Sequence, residues 1–166
     1  MKVRQGFVSN SSSSSFIVAF PRGMEINETS VHEYLYGKNP ITLSSYGDGI
    51  SSTAATEAIV REMKAQAPNN PKDLDDALGG YLEDAPAYYD IVTADRDDTE
   101  LREQQWKEYR ALCDAHRSKT LNAITKEWGD VDLYVFTFSD NDGHFWSTME
   151  HGPTFDNVRH KRISNH

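Results

Sequence analysis

The chain is poor in cysteine, in long apolar runs and in basic residues. Cys113 is the one cysteine among 166 residues, which excludes an internal disulfide and favours a reducing compartment. No stretch approaches the ~20 consecutive apolar residues that a membrane-spanning helix needs. The short apolar run near the N-terminus is not followed by the small-residue cleavage site of a secretory signal. We therefore expect a cytoplasmic protein that does not enter a membrane.

Positive charge is scarce, because 17 lysines and arginines stand against 26 acidic residues and give a net charge of −9. Binding to a phosphate backbone relies on lysine and arginine, so this charge disfavours direct nucleic-acid binding. The acids concentrate between Pro71 and Asp114, where 13 acidic residues accompany five basic ones. Such a block meets a basic partner, mimics nucleic acid or forms a solvated acidic helical face, and these interpretations stay open.

Signatures of catalysis are also missing. The chain has no Gly-x-Ser-x-Gly motif, and its glycine-rich segment from 46 to 53 lacks a P-loop lysine and the spacing of a dinucleotide fingerprint. That segment still leads into a predicted helix, whose first backbone N–H groups can bind an anion. The candidate anion-binding residues are Gly47, Gly49, Ser51, Ser52 and Thr53. An ordinary loop with a helix cap is the alternative.

The apolar residues that are present predict a single α+β domain over residues 1–166, with an acidic helical middle section at about 71–128. Phe16 to Phe20 is a continuous apolar run that predicts a buried strand. Thr99 to Trp128 has the spacing of one long amphipathic helix. The expected buried stripe of that helix consists of Trp106, Tyr109, Cys113, Thr120, Ile124 and Trp128.

Shorter helices are predicted around this framework. Ser30 and Glu33 form a capping-box pattern, which predicts the start of a short helix, and Gly37 is its predicted end. Thr53 to Ala67 has an apolar stripe at Ala55, Ile59 and Met63, and Lys72 to Leu82 predicts a weaker helix. The segment around Tyr88 to Val92 is ambiguous between a short strand and a packed loop.

Toward the end of the chain the side-chain pattern changes from helical spacing to the two-residue alternation that is typical of strands. Val131 to Ser139 predicts a strand, Asp140 to Gly143 a turn, and His144 to Glu150 the returning strand of a hairpin. Arg159 to Ser164 predicts a last short strand. The expected fold is therefore a small antiparallel sheet, built from the N-terminal strand and the C-terminal hairpin, with several helices covering one face.

The predicted hairpin collects residues that can bind a divalent metal. The candidate ligands are Asp140, Asp142, His144, Glu150 and His151. Carboxylate oxygens and imidazole nitrogens are the donors that such ions prefer, so a metal-dependent, hydrolase-like enzyme is one hypothesis. The glycine and glutamate spacing of an EF-hand is absent. The alternative is that aspartate and asparagine are present for the geometry of the turn.

The chain opens with Gly6-Phe7-Val8-Ser9-Asn10, then five serines, Ser11 to Ser15, and then Phe16. This stretch resembles an N-terminal signature, GFVSNSSSSSF, shared by uncharacterised bacterial and bacteriophage proteins. The resemblance implies a bacterial or phage origin and no particular activity. By composition, the serines predict a connection between an edge strand at Lys2 to Val8 and the apolar strand.

Without an assembled catalytic set, we expect the protein to act without a cofactor by binding a macromolecule, most simply another protein. It would serve as an inhibitor of a host protein or as a component of an assembly, in the bacterial cytosol, an infected cell or a virion. The expected partner-binding residues are Tyr88, Tyr89, Asp95, Asp97 and Asp98. The oligomeric state is left open.

Overall fold

A computed structural model describes residues 13–45, 47–70, 74, 78, 81–82 and 85–164. The predicted edge strand at Lys2 to Val8, Ser11 and Ser12, and most of the predicted helix at Lys72 to Leu82 lie outside this range. The strands of the described chain are β1 (Ser13–Pro21), β2 (Thr42–Leu43), β3 (Ile50–Ser51), β4 (Tyr81–Leu82), β5 (Val131–Ser139) and β6 (His160–Ser164).

The helices accompany these strands along the whole described sequence. They are α1 (Glu28–Tyr36), α2 (Ser52–Ala65), α3 (Tyr88–Ile91), α4 (Thr99–Glu127) and α5 (His144–His151), with a 3-10 turn at Asp140–Asp142. The main sheet of the described residues is antiparallel in the order β4-β6-β1-β5, and β2 pairs with β3 separately. The predicted α+β class, with an N-terminal strand and one long helix, is confirmed.

β1 lies in the middle of the sheet and is buried on both faces. Phe16, Val18 and Phe20 point into a core that α1, α2 and α5 also line. Ile17 and Ala19 point the other way, toward Ile124 of α4, Leu74 and Leu78. A continuous apolar run is typical of a strand covered on both sides. Helices therefore pack on both faces, and the expectation of one covered face was wrong.

The predicted C-terminal hairpin was also wrong. His144 to Glu150 belongs to helix α5. The last strand, β6, pairs with one edge of β1, while β5 pairs with the opposite edge. Gly143, at φ +106°, precedes the helix. Phe145 and Met149 are four residues apart, so they share one helical face and pack on the aromatic core. That burial favours a helix over the returning strand.

The long helix α4 has the predicted length, but only part of its predicted stripe is buried. Tyr109, Thr120 and Ile124 are buried, whereas Cys113 is half-buried and the Trp106 side chain is 38% exposed. The C-terminal turns cover the sheet and the N-terminal turns contact α3. Among the helices of the described residues, none combines the length and apolar character needed to cross a membrane.

The remaining helices follow the predicted pattern with shifted ends. The side chain of Asn27, not Ser30, caps α1 by accepting a hydrogen bond of 2.8 Å from the Ser30 N–H, and Gly37 ends that helix as predicted. The stripe of α2 at Ala55, Ile59 and Met63 is buried as predicted. Tyr88 to Ile91 forms the short helix α3, so both predicted alternatives for that segment, a short strand and a packed loop, were wrong.

Side-chain amides occupy the outer edge of β5. The amide of Gln66 donates to the Val135 carbonyl (3.0 Å) and accepts from the Val135 N–H (3.3 Å), which reproduces the pairing of a neighbouring strand. The backbone N–H of Asn69 donates to the Leu133 carbonyl at 2.7 Å. The segment after α2 is thereby fixed against the sheet.

The two aromatic residues Phe136 and Trp106 should differ sharply in their contribution to stability. Phe136→Ala removes a ring that is fully buried beside β1 and should lower the free energy of unfolding by about 3–5 kcal/mol. Trp106→Ala should cost far less, because more than a third of that side chain is already in water. Urea denaturation of both variants measures the difference. Equal losses would show that the N-terminal half of α4 belongs to the core.

Candidate functional site

The described serines of the N-terminal run lie inside the sheet. Ser13, Ser14 and Ser15 are the first three residues of β1, and the Ser14 side chain is 0% exposed. Ser15 Oγ lies 2.9 Å from Thr137 Oγ1 on β5, within hydrogen-bond distance. The expectation that the whole run is a displayed connection between strands is therefore wrong for these three residues.

Ser14 connects a buried carboxylate to a guanidinium. Its hydroxyl donates to Glu150 Oε1 at 3.0 Å and accepts from Arg162 Nε and Nη2 at 3.2 and 3.1 Å. Glu150, near the end of α5, is 1% exposed. A buried carboxylate is costly unless it is hydrogen-bonded and balanced by a positive charge. Ser14 supplies a hydrogen bond, and Arg162, bound to the same hydroxyl, brings a positive charge close to the carboxylate.

Two of the other predicted metal ligands join this cluster. His151 Nε2 lies 3.6 Å from Glu150 Oε2, and its Nδ1 lies 3.5 Å from Arg162 Nη2. One donor atom each from Asp140, Glu150 and His151 fall within 4.8 Å of one another, so these three residues could hold a divalent cation. We call Ser14, Asp140, Glu150, His151 and Arg162 the strand-end cluster.

Asp142 and His144 do not belong to the metal-ligand group found among the described residues. Both are exposed, and His144 is the first residue of α5, six positions before Glu150. Six residues correspond to about 600° of helical rotation, which places the two side chains on different sides of the helix. The predicted hairpin would have allowed all five residues to converge.

Sequence reasoning missed Ser14 and Arg162. They lie 148 positions apart and meet because β1 and β6 pair with Ser14 opposite Ser164 and Phe16 opposite Arg162. Only that register could have indicated the contact, and a single sequence does not specify it.

The glycine and serine residues proposed as an anion site build a corner between β3 and α2. Ser51 caps α2 by accepting from the Thr53 N–H at 3.1 Å. Gly49 packs against β2, where a Cβ would collide with Thr42 and with the Leu43 carbonyl. Gly47 is exposed at φ +88°. These residues are thus engaged in the geometry of the turn and the cap.

His32 of α1 connects that helix to this corner by hydrogen bonds, a role that the sequence did not predict. Its Nδ1 lies 2.9 Å from the Gly37 carbonyl and its Nε2 lies 2.8 Å from Ser52 Oγ. A carbonyl can only accept, so Nδ1 carries a proton, and in the neutral imidazole Nε2 then accepts from the Ser52 hydroxyl. Ser52 Oγ also accepts from the Ile41 N–H at 2.9 Å. Because Ser52 is fully buried, its hydroxyl stabilises the corner and is not presented to a substrate.

Four aromatic rings meet where α3 contacts α4. The Tyr88 ring centre lies 5.2 Å from that of Tyr89, 5.6 Å from Trp106 and 5.4 Å from Tyr109. Tyr109 is buried beneath them, whereas Tyr89 is 84% exposed. The Arg110 guanidinium lies 5.7 Å from the Trp106 ring centre. We call these four rings the α3–α4 aromatic cluster.

The acidic residues predicted to bind a partner lie on the loop beside this cluster. Asp95 and Asp97 are exposed, whereas Asp98 caps α4 by accepting from the Leu101 N–H at 3.2 Å. Gln105 of α4 holds the beginning of the loop, since its Oε1 accepts from the Thr93 and Ala94 N–H groups at 3.0 and 2.9 Å.

A groove of about 480 Å³ opens between the loop and the first turns of α4. It is lined by Tyr88, Arg96, Thr99, Arg102, Glu103 and Trp106. Another groove, of about 450 Å³, lies between α1 and α2 beside His32.

No protein-family model, curated protein or solved structure matches this chain. The function is therefore inferred from the chemistry of the strand-end cluster and of the α3–α4 aromatic cluster.

Variants of the strand-end cluster should reveal its contribution to stability. Arg162→Ala removes the guanidinium that is hydrogen-bonded to Ser14 beside buried Glu150, and it should lower the free energy of unfolding by about 1.5–3 kcal/mol. Ser14→Ala should cost about 1–3 kcal/mol, because Glu150 loses a hydrogen-bond donor. The double variant should cost less than the sum, since both changes break one network.

Guanidinium denaturation of the three variants provides this measurement. Lys119→Ala, which removes a positive charge from an exposed position of α4, is the control and should leave stability nearly unchanged. Strict additivity of Ser14→Ala and Arg162→Ala would contradict the proposed network.

Proposed function

We propose that the protein acts by binding a partner protein through the α3–α4 aromatic cluster and the adjoining loop. The observation that carries the proposal is the exposure of Tyr89 directly beside Tyr88 and the partly exposed Trp106. Tyrosine and tryptophan are the residues most enriched among those that dominate binding energy in protein interfaces. Their rings supply a large apolar area, and their polar groups tolerate water before the partner binds.

The contacts that hold this surface in place support the same proposal. Tyr88 and Trp106 are held against buried Tyr109 by ring contacts, and Gln105 fixes the start of the loop that carries Asp95 and Asp97. A surface that is ordered before binding loses little conformational entropy when the partner arrives. The buried Tyr109 therefore positions the exposed rings for recognition.

The N-terminal signature suggests the setting of this binding. A bacterial or phage origin fits an inhibitor of a host protein or a component of an assembly. The exposed acids of the loop, Asp95 and Asp97, would contribute to selectivity by repelling acidic surfaces near their own positions.

Binding by the aromatic cluster is tested by affinity capture from a bacterial lysate with quantitative mass spectrometry. Tyr89→Ala and Trp106→Ala should each reduce recovery of the specific partner at least about tenfold, as expected for dominant interface residues. Leu112→Ala is the matched control, because Leu112 is 40% exposed on the same helix but makes none of the ring contacts. A partner that all three variants retain equally would refute the proposal.

A second candidate function is metal-dependent, hydrolase-like catalysis at the strand-end cluster. It is favoured by the grouping of Asp140, Glu150 and His151 within 4.8 Å. It takes second place because the Arg162 guanidinium, bound to Ser14, already supplies a positive charge beside Glu150 and His151.

Metal binding is tested by calorimetric titration of the purified protein with Zn²⁺ and Mn²⁺. If the cluster is a metal site, Asp140→Asn and His151→Gln should abolish stoichiometric binding. Asp142→Asn and His144→Gln, at the two predicted ligands outside the group, are the matched controls and should leave binding intact. Loss of binding in the controls alone would refute the site at Asp140.

A further inference from the structure

The groove beside the α3–α4 aromatic cluster has a charge opposite to that of its surroundings. Its walls contain the guanidinium groups of Arg96 and Arg102 and one carboxylate, Glu103. Glu103 Oε1 is in turn 3.3 Å from Lys107 Nζ, one turn along α4. The groove is therefore locally positive, although it lies in the most acidic part of the sequence.

The two guanidinium groups are available to a ligand. Within the described part of the chain, neither Arg96 nor Arg102 takes part in an ion pair or a side-chain hydrogen bond. Thr99 adds a hydroxyl at the first position of α4, and the Tyr88 and Trp106 rings form an apolar wall. The groove thus offers hydrogen-bond donors beside aromatic surface.

We propose that this groove binds a carboxylate of the partner protein, from an acidic side chain that is followed or preceded by an apolar residue. The inference rests on the proposed function and specifies which chemistry the partner presents. A guanidinium matches a carboxylate through two parallel N–H···O hydrogen bonds, and two guanidinium groups can share one carboxylate. The neighbouring apolar side chain packs on the rings of Tyr88 and Trp106.

The surrounding charges favour a single carboxylate over a nucleic-acid phosphate chain. A nucleic acid brings a row of phosphates, and the exposed acids Asp95, Asp97 and Glu100 flank the groove within the same stretch of sequence. Repulsion between charges acts over roughly 8–10 Å at physiological ionic strength, so it would oppose phosphates beyond the first. A single carboxylate would bind the arginines that line the groove and would meet fewer of these acids.

The same exposed acids would favour a partner segment with one acidic residue over a strongly acidic partner surface. A partner surface with a large negative field would be repelled by the loop before it reached Arg96 and Arg102. An isolated glutamate or aspartate on a mainly apolar or basic surface would not be repelled in this way. The expected partner segment therefore combines one acidic residue with apolar neighbours.

The proposal is tested with fluorescein-labelled, capped peptides of leucine and glycine that contain a single central glutamate, glutamine or lysine. Binding to the full-length protein is followed by fluorescence anisotropy. The glutamate peptide should bind at least about tenfold more tightly than the glutamine peptide, as expected for charge-assisted hydrogen bonds. The affinity should fall as the salt concentration rises.

Variants then assign the binding to the groove. Arg96→Gln and Arg102→Gln should each reduce the preference for glutamate over glutamine, and the double variant should remove it. Lys119→Gln is the control, because it removes a positive charge from an exposed position of α4 several turns from the groove and should leave the preference unchanged. A fluorescein-labelled single-stranded oligonucleotide is titrated in parallel.

Three results would overturn the proposal: equal binding of the glutamate and lysine peptides, equal effects of Lys119→Gln and Arg102→Gln, or tighter binding of the oligonucleotide through the same two arginines. The proposed function fails separately. If Tyr89→Ala and Trp106→Ala release the captured partner but the arginine variants retain it, partner binding stands and the carboxylate site is refuted.

Discussion

Strand β1 is apolar on both faces, and the arrangement of the described chain follows from the need to cover both. β5 and β6 pair with its backbone on either side, so the N-terminal strand lies between the two C-terminal strands. α1, α2 and α5 cover the face of Phe16, Val18 and Phe20, and the end of α4 covers the other. Ser14, at the start of the same strand, is buried by the same packing. A polar residue in that position needs polar partners, and this requirement accounts for the strand-end cluster.

Helix α4 divides its length between stability and recognition. Its last turns carry Thr120 and Ile124, which are buried, and Ile124 belongs to the core of the sheet. Its first turns contact α3, where Tyr109 is buried under rings that remain accessible. Because the two regions are separated by several helical turns, surface residues such as Tyr89 can change without disturbing the core. The proposed binding surface can therefore vary while the fold stays the same.

The parts of the fold that the sequence predicted are those with a strong periodic signal. The apolar run at Phe16 to Phe20, the stripe of α2 and the extent of α4 each follow from residue spacing alone. The hairpin prediction failed because Asp-Asn-Asp-Gly is compatible with a β-turn and also with a 3-10 turn that begins a helix. Burial of Phe145 and Met149 by the core decides between the two, and that core includes residues of β1 and α1 more than a hundred positions away. For the same reason, the prediction contained the three grouped residues Asp140, Glu150 and His151 but also Asp142 and His144, and Arg162 was not found.

The amides along β5 restrict how this protein can associate with others. The outer edge of a sheet is normally open to an incoming strand, which is how many proteins aggregate or recruit extended peptides. Here Gln66 and Asn69 already occupy the backbone groups of Leu133 and Val135. A visiting strand would have to displace the chain's own side chains from these positions. Strand addition is thereby discouraged along this stretch of β5. This favours association through side chains of a helical surface, such as the α3–α4 aromatic cluster, over association through backbone hydrogen bonds.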